Sequence, residues 1–409
     1  MEIVRYDSSP PDDDCPFASK KSESGSKKQS ILQRQLKRIV FRHLSGRPLR
    51  TRPPIPENPR CVAVATGGNL GGAIISIPLI RGVRHKWPHA HLVVIGNRQH
   101  GIEIIQRAGL GDTYLVAPDT PLVRALMGDT VARQFKEQVL ALKPDLFVGN
   151  FNLQCAHLLP LTQIPCTIGQ GLATPSNLDT ELFDYFVNYD FSSENWLEGY
   201  WRILKLLSVD RQEVPSINAN AGLGSAFLRG LCDENDQQNA IYVGVQAATW
   251  ASEAWKAWPT EKMTELCMRL LADKRYHIVI FGSEGQNELY NSIKERVLRH
   301  GRVINAVGKL SIAQLPDAVA ACSAIISNDS GLMHLSAAVG TPTIALWGMT
   351  DYHISWVYGD NSRHALIRRP QVVPCYHHVN DVKKYCSSRD CIKNISIEAV
   401  HSTLLSILL

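Results

Sequence analysis

The 409-residue sequence contains no apolar run approaching the ~18–20 residues that a bilayer-spanning helix requires, which excludes an integral helical membrane segment. Its opening, MEIVRYDSSPPDDD, lacks the cationic-then-apolar order of a secretory signal, so export by that route is not expected. Cysteine is sparse and scattered, ten residues without a dense paired framework, which argues for a reducing compartment rather than a disulfide scaffold. Aromatic residues make up 7% of the chain and do not interleave with its basic clusters, and no nucleic-acid motif is recognisable, so nucleic acid is not an expected partner. What is present is enough for sizeable cores: 44% apolar and only 20% charged residues, over a length that exceeds one ordinary domain. A cytoplasmic protein of two globular domains is expected.

The net charge of +5 is unevenly placed. Residues 1–60 carry thirteen Lys and Arg against seven Asp and Glu, whereas the rest of the chain carries thirty against thirty-one. The whole basic excess therefore lies in a leader, residues 1–58, whose acidic Pro10–Asp14 start and Ser/Lys-rich 19–30 stretch bury too little apolar surface to order themselves. Within it, Ile31, Leu32, Leu36, Ile39, Val40 and Leu44 share one side of a 3.6-residue period, and Arg34, Lys37, Arg38 and Arg42 lie largely on the other. Such a helix over residues 31–52 suits peripheral contact with an anionic inner-membrane surface, or docking on its own domain or a partner subunit. Arg52-Pro53-Pro54-Ile55-Pro56 then reads as a stiff extended linker.

Beyond it, short apolar strands alternate with helical stretches. Strands are expected at 61–65, 91–96, 114–116 and 145–149, with helices at 74–83 and 101–108. A helical, acidic and aromatic stretch separates the halves, with a hinge near 215–238. The pattern restarts with strands at 240–245, 277–282, 324–327 and 343–347 and helices at 260–271 and 287–299. This alternation predicts an α/β protein of two doubly wound Rossmann-like domains facing a cleft, with ligands beyond the carboxyl ends of the strands.

The segment Ile326-Ser327-Asn328-Asp329-Ser330-Gly331-Leu332-Met333-His334-Leu335 ends a strand, turns on small polar residues and starts a helix at about Leu332. Main-chain N–H groups, the positive end of a helix dipole and the Ser330 hydroxyl then converge on one spot, an anion site suited to phosphate, although Asn-Asp-Ser also serves as an ordinary helix cap. Asp329 stands beside it, where a sugar hydroxyl or a cation could be held, and His334 lies on the first turn.

Asn-Asp-Ser-Gly-Leu-Met-His-Leu at 328–335, Gly340-Thr341-Pro342 and Leu346-Trp347-Gly348-Met349-Thr350-Asp351 resemble glycosyltransferase family 9, the ADP-heptose:lipopolysaccharide heptosyltransferases. Gly308-Lys309-Leu310-Ser311, Leu315-Pro316-Asp317-Ala318, Lys256-Ala257-Trp258-Pro259 and, more weakly, the first loop and helix at 71–83 extend the likeness from about residue 60 to the C-terminus. The resemblance implies a GT-B fold and inverting transfer of a heptose or related sugar from a nucleotide diphosphate, ADP-heptose first, to a hydroxyl of a lipopolysaccharide core, another glycan or a glycoside, with no cofactor and no divalent metal required. It makes residues 59–215 the acceptor-binding domain, 216–238 a linker, 239–395 the nucleotide-sugar domain and 396–409 a terminal helix. Lys256 would be the cation over the phosphates and Asp329 would face the donor sugar. Ser330, Gly331 and Leu332 would supply main-chain donors with His334 nearby, Thr249 a further hydroxyl, and Glu284 would approach the ribose.

The first loop departs from the pattern. Where the family carries Leu-Gly-Asp, with the Asp as proposed general base, this chain has Asn69-Leu70-Gly71-Gly72, and Gly72 cannot accept a proton. Asp112, Asp119, Glu181 and Asp184 are the alternative carboxylates. The loss admits a non-catalytic nucleotide-sugar-binding homologue, or an epimerase or hydrolase of a nucleotide sugar. Near the C-terminus, Cys375 and His378 have Cys-x2-His spacing, and Cys386 and Cys391 Cys-x4-Cys spacing. That set could hold zinc or iron, or be packed or redox-paired cysteines.

Overall fold

A computed structural model describes residues 52–120, 124–125, 127–149, 159, 164–171, 183–190, 194–210, 213–232, 240–249, 251–296, 301–356, 363–369 and 389–409. The leader helix expected at 31–52, its last residue apart, and the candidate metal ligands Cys375, His378 and Cys386 lie outside them. The chain divides at residues 215 and 216 into two compact units.

In the N-terminal unit, β1 (Cys61–Ala65), β2 (His91–Gly96), β3 (Thr113–Val116), β4 (Leu146–Val148), β5 (Cys166–Gly171) and β6 (Tyr185–Asn188) form one six-stranded sheet in the order β3-β2-β1-β4-β5-β6. Every pair is parallel. The central strand explains why the sequence read so plainly: all five residues of β1 are buried, because helices cover both faces of a parallel sheet and leave no polar side. Its core gathers Ala63, Ala65, Val93, Ile95, Phe147 and Phe183.

Two expectations are corrected here. The apolar helix expected at 74–83 is two helices, Leu70–Ile75 and Ile77–Lys86, with Pro78 in the first turn of the second. The chain breaks at Ser76, whose hydroxyl donates to Gly72 O at 2.7 Å and accepts from Gly67 N at 2.9 Å, so the junction is tied to the loop after β1. Next, the stretch expected to be helical between the halves contributes strands β5 and β6 before the helix Trp196–Leu206. The β5 sequence Cys-Thr-Ile-Gly-Gln-Gly is fully buried yet poor in apolar side chains. Its Gly169 is required by packing, since a Cβ there would lie 2.3 Å from the Phe183 ring.

The C-terminal unit repeats the architecture with β7 (Ile241–Gln246), β8 (Tyr276–Phe281), β9 (Val303–Asn305), β10 (Ala324–Asn328), β11 (Thr343–Leu346) and β12 (His364–Ile367), in the order β12-β11-β10-β7-β8-β9. All pairs are again parallel. Helix Thr260–Leu271 has the predicted bounds and packs on β8 and on the last helix, Ile397–Leu408. The stretch 216–238, expected as a linker, carries the helix Ala221–Gly230, which belongs to this unit. It packs on the helix Leu315–Ala320 so closely that a Cβ on Gly224 would fall 1.8 Å from Asp317 O. Among the described residues no helix is long and apolar enough to cross a membrane.

In both sheets the first strand of the unit is flanked on one side by the second and on the other by the fourth. Connections leave these neighbours in opposite directions, so a crevice opens at their carboxyl ends. In the C-terminal unit that first strand is β7, its fourth-strand neighbour is β10, and the turn after β10 is the Asn-Asp-Ser-Gly segment.

Candidate functional site

The turn after β10 is shaped by side chains from β7. Gln246, the last residue of β7, accepts at Oε1 from Ser327 Oγ (2.9 Å), Asn328 N (3.1 Å) and Ser330 Oγ (2.9 Å). Asn328 Oδ1 in turn accepts from Trp258 N at 2.9 Å, fixing the Lys-Ala-Trp-Pro segment against the same turn. The helix Gly331–Ala338 starts one residue before the expected Leu332. Ser330 sits at its N-cap in extended conformation, and its side chain makes no cap hydrogen bond. The first-turn N–H groups thus face their end of the helix dipole without a serine oxygen upon them.

Lys256, at the end of the short 3-10 helix Ala251–Lys256, is brought to this turn. Its Nζ lies 3.1 Å from Asp329 Oδ2 and 3.5 Å from Glu253 Oε1, and rests 5.2 Å from the centre of the Trp255 ring. Thr350 Oγ1 donates to the same Asp329 Oδ2 at 2.9 Å. The two charged side chains are 16% and 9% exposed, so they interact where water screens weakly. His334, one turn into the helix, is buried, and burial pushes its pKa down to about 4; the Lys256 charge acts the same way and Asp329 opposes it. At neutral pH the imidazole is uncharged, which leaves Lys256 as the cation among these three.

That shift has a sign for stability. Between about pH 4 and 6.5 the unfolded chain binds a proton at residue 334 that the folded chain does not. Stability therefore rises with pH across that window and falls in acid. His334→Gln should flatten the acid limb of urea-midpoint against pH, by on the order of 3 kcal/mol at its largest; an unchanged acid limb would place the titration elsewhere.

Of the other expected donor-side residues, Thr249 is buried and its hydroxyl donates to Glu253 O at 3.0 Å, so it holds the 3-10 helix. Glu284 is exposed in the turn after β8, its backbone against Gly308, whose φ of +66° suits glycine. Leu332 buries its side chain and offers only its main chain. Gln246, Glu253 and Thr350 were not singled out from the sequence. A signal was present for Gln246, the polar residue that ends an otherwise apolar strand.

In the N-terminal unit, a pocket of about 340 Å³ opens beyond the ends of β1 and β2. Gly67, Gly68, Asn69, Gly72, Asn97, Arg98, Trp196 and Tyr200 line it, and none of these is a carboxylate. Asn69 Oδ1 accepts from Gly72 N at 2.7 Å and caps the helix Leu70–Ile75, within which Gly71 is buried. The alternative carboxylates are otherwise engaged: Asp112 with Arg84 and with Leu92 N, Asp184 with the hydroxyl and N–H of Thr167, and Asp119 with Arg98 at 2.9 Å. Glu181 is outside the described residues. Cys391 is half-buried against the C-terminal core, and among the described residues no cluster of His, Cys, Asp and Glu could hold a metal ion.

Two α/β units with parallel sheets, the C-terminal one carrying Lys256 beside a helix start at its topological switch point, define a protein of the GT-B fold class. The chain belongs to glycosyltransferase family 9 (heptosyltransferase), whose pattern it matches over residues 152–386, more than half its length. The match contains Lys256 and the 328–335 turn but not the 69–72 loop, so the family pattern begins later than the expected residue 60. Lipopolysaccharide heptosyltransferase 2 of Escherichia coli (strain K12) is 38% identical over 95 residues, 23% of this chain and 27% of that protein. The chain thus spans about a quarter of the length of the first curated relatives it matches. Among solved structures, E. coli ADP-heptose lps heptosyltransferase II superposes with a TM-score of 0.66 at 20% identity, covering 85% of this chain and 98% of the other. The glycosyl transferase family 9 protein from Veillonella parvula DSM 2008 gives 0.70 at 18%, covering 85% and 97%.

Proposed function

We propose that this chain transfers a heptose or related sugar, with inversion, from a nucleotide diphosphate, ADP-heptose first, to a hydroxyl of a lipopolysaccharide core or similar glycan. The observation that carries the reading is the meeting of Lys256, Asp329 and His334 at the start of helix Gly331–Ala338. In such a transfer the acceptor oxygen bonds to the anomeric carbon while the carbon–oxygen bond to the diphosphate breaks, and the acceptor proton leaves. Negative charge then grows on the diphosphate. The Lys256 ammonium and the N–H groups of Gly331 and Leu332 supply fixed positive charge there, and Asp329 holds sugar hydroxyls. The Asn69–Gly72 pocket, which Arg98 lines while paired to Asp119, is the acceptor side. The basic 31–52 segment serves peripheral contact with the cytoplasmic membrane face. The names of the similar heptosyltransferases support the donor and the glycan class.

Among the described residues that line the pocket none is a carboxylate, and this favours a second reading, a homologue that binds the nucleotide sugar without transferring it. Incubating the full chain with ADP-, GDP- and UDP-sugars and a deacylated lipopolysaccharide acceptor distinguishes the two. Release of nucleotide that depends on the acceptor is the expected result. Transfer seen only after Gly72→Asp would establish the second reading, even though a Cβ at 72 must push 3.0–3.4 Å contacts with Asn69 and Gly67 aside. Silence of both chains, properly folded, would count against transferase ancestry at this site.

A further inference from the structure

We propose that Gln246 is a positioning residue that keeps the diphosphate site open by holding Ser330 away from the helix it would otherwise cap; this inference rests on the donor site proposed above. A serine at an N-cap ordinarily turns its oxygen onto the second or third N–H of the helix. Ser330 has the extended backbone of an N-cap and yet makes no such bond. Its hydroxyl instead donates to Gln246 Oε1 at 2.9 Å.

The hydrogen-bond inventory around Gln246 permits one orientation of its amide. Nε2 donates to Ala248 O at 2.9 Å, and Oε1 faces the Asn328 N–H at 3.1 Å. Reversing the amide would set two N–H groups against each other and two carbonyl oxygens against each other, so Oε1 must point at the turn. A carbonyl oxygen has two lone pairs. Asn328 N–H takes one, and the Ser330 and Ser327 hydroxyls, each at 2.9 Å, converge on the other; Ser327 Oγ also lies 2.9 Å from Asn328 O and 3.0 Å from Ser330 Oγ. The amide thus bridges the ends of β7 and β10 and fixes the serine rotamer. The N–H groups of Leu332 and Met333 are left to an incoming anion instead of an internal oxygen, and the diphosphate has no cap to displace.

The inference makes an otherwise unusual demand: weakened binding should be repaired by deleting a hydroxyl. ADP is the probe, titrated calorimetrically into the full-length chain. Gln246→Met is expected to weaken ADP about five- to tenfold, the equivalent of one serine N-cap, and to raise the donor KM with kcat retained. Gln246→Met/Ser330→Ala is expected to recover most of that loss, because no hydroxyl remains to cap the helix. Full affinity in the single variant, or equally weak binding in the single and double variants, overturns the inference, the latter because it marks a merely broken turn. Hydrogen exchange on the unaltered chain gives a test free of folding defects. The Leu332 and Met333 amides should exchange readily without ligand and become protected by ADP; protection already present without ADP overturns the inference. Failure of the unaltered chain to bind ADP at all removes the donor site proposed above, and this inference with it, an outcome separable from failure of the variants alone.

Discussion

Lys256→Ala is expected to lower sugar transfer by on the order of 10²- to 10³-fold, the loss typical when one preorganised partner of developing negative charge is removed. Nucleotide-diphosphate affinity should fall with it, because the first-turn N–H groups alone cannot match an ammonium against two phosphates. The structure adds a second consequence. Asp329 is 9% exposed and shares Oδ2 between Lys256 and Thr350, so the variant leaves a buried carboxylate with a hydroxyl in place of a cation. Breaking a buried pair from one side costs ~3–5 kcal/mol in favourable cases, and the urea midpoint should drop accordingly. Pairing the change with Asp329→Asn separates the two effects. The double variant should regain stability, since no uncompensated charge remains, while ADP binding measured by calorimetry stays weak. Unchanged ADP affinity in both variants would remove Lys256 from the phosphate site.

Asp329→Asn alone should move binding and chemistry in opposite directions. At rest the carboxylate lies 3.1 Å from the Lys256 ammonium and competes with an incoming phosphate for it. An amide can still accept from Thr350 but no longer neutralises Lys256, so ADP should bind as well or more tightly. Transfer should nevertheless fall by about 100-fold or more if Asp329 has the role proposed above, because the group that orients the sugar hydroxyls has then lost its charge and strongest acceptor. Initial-rate kinetics with a nucleotide sugar, beside calorimetry with ADP, measure both halves. A parallel loss of ADP affinity, like that of Lys256→Ala, would show that Asp329 acts only through the pair.

Much of the scaffold was legible because parallel strands covered on both faces are nearly continuous apolar runs. Cys61–Ala65 and His91–Gly96 have the bounds read from the sequence. Strands β5, β6, β9 and β12 escaped notice for identifiable reasons. The first is buried by close approach of Phe183 onto glycine, the second is a four-residue edge strand with no fully buried residue, the third has three residues, and the fourth begins with a buried histidine. The break at Ser76 was equally hidden, since a serine within an apolar helix pattern gives no sign that its hydroxyl will bond to Gly67, nine residues back.

At the candidate site, the strand–turn–helix junction that carries Asp329, Ser330 and His334 was legible in the sequence, because backbone donors and a helix dipole are local consequences of local sequence. The partners that set their chemistry are remote in the chain. Gln246 reaches the turn across 84 positions, Thr350 reaches Asp329 across 21, and Lys256 becomes half of an ion pair only once β7 and β10 lie side by side. Sequence alone determined which groups stand together at the junction, a lysine apart, since donors, dipole and charge are properties of residue type and short-range geometry. Which of them are committed to one another was decided by tertiary structure, since hydrogen bonds and buried charges are allocated by distance, and distance between strands exists only after the sheet has formed.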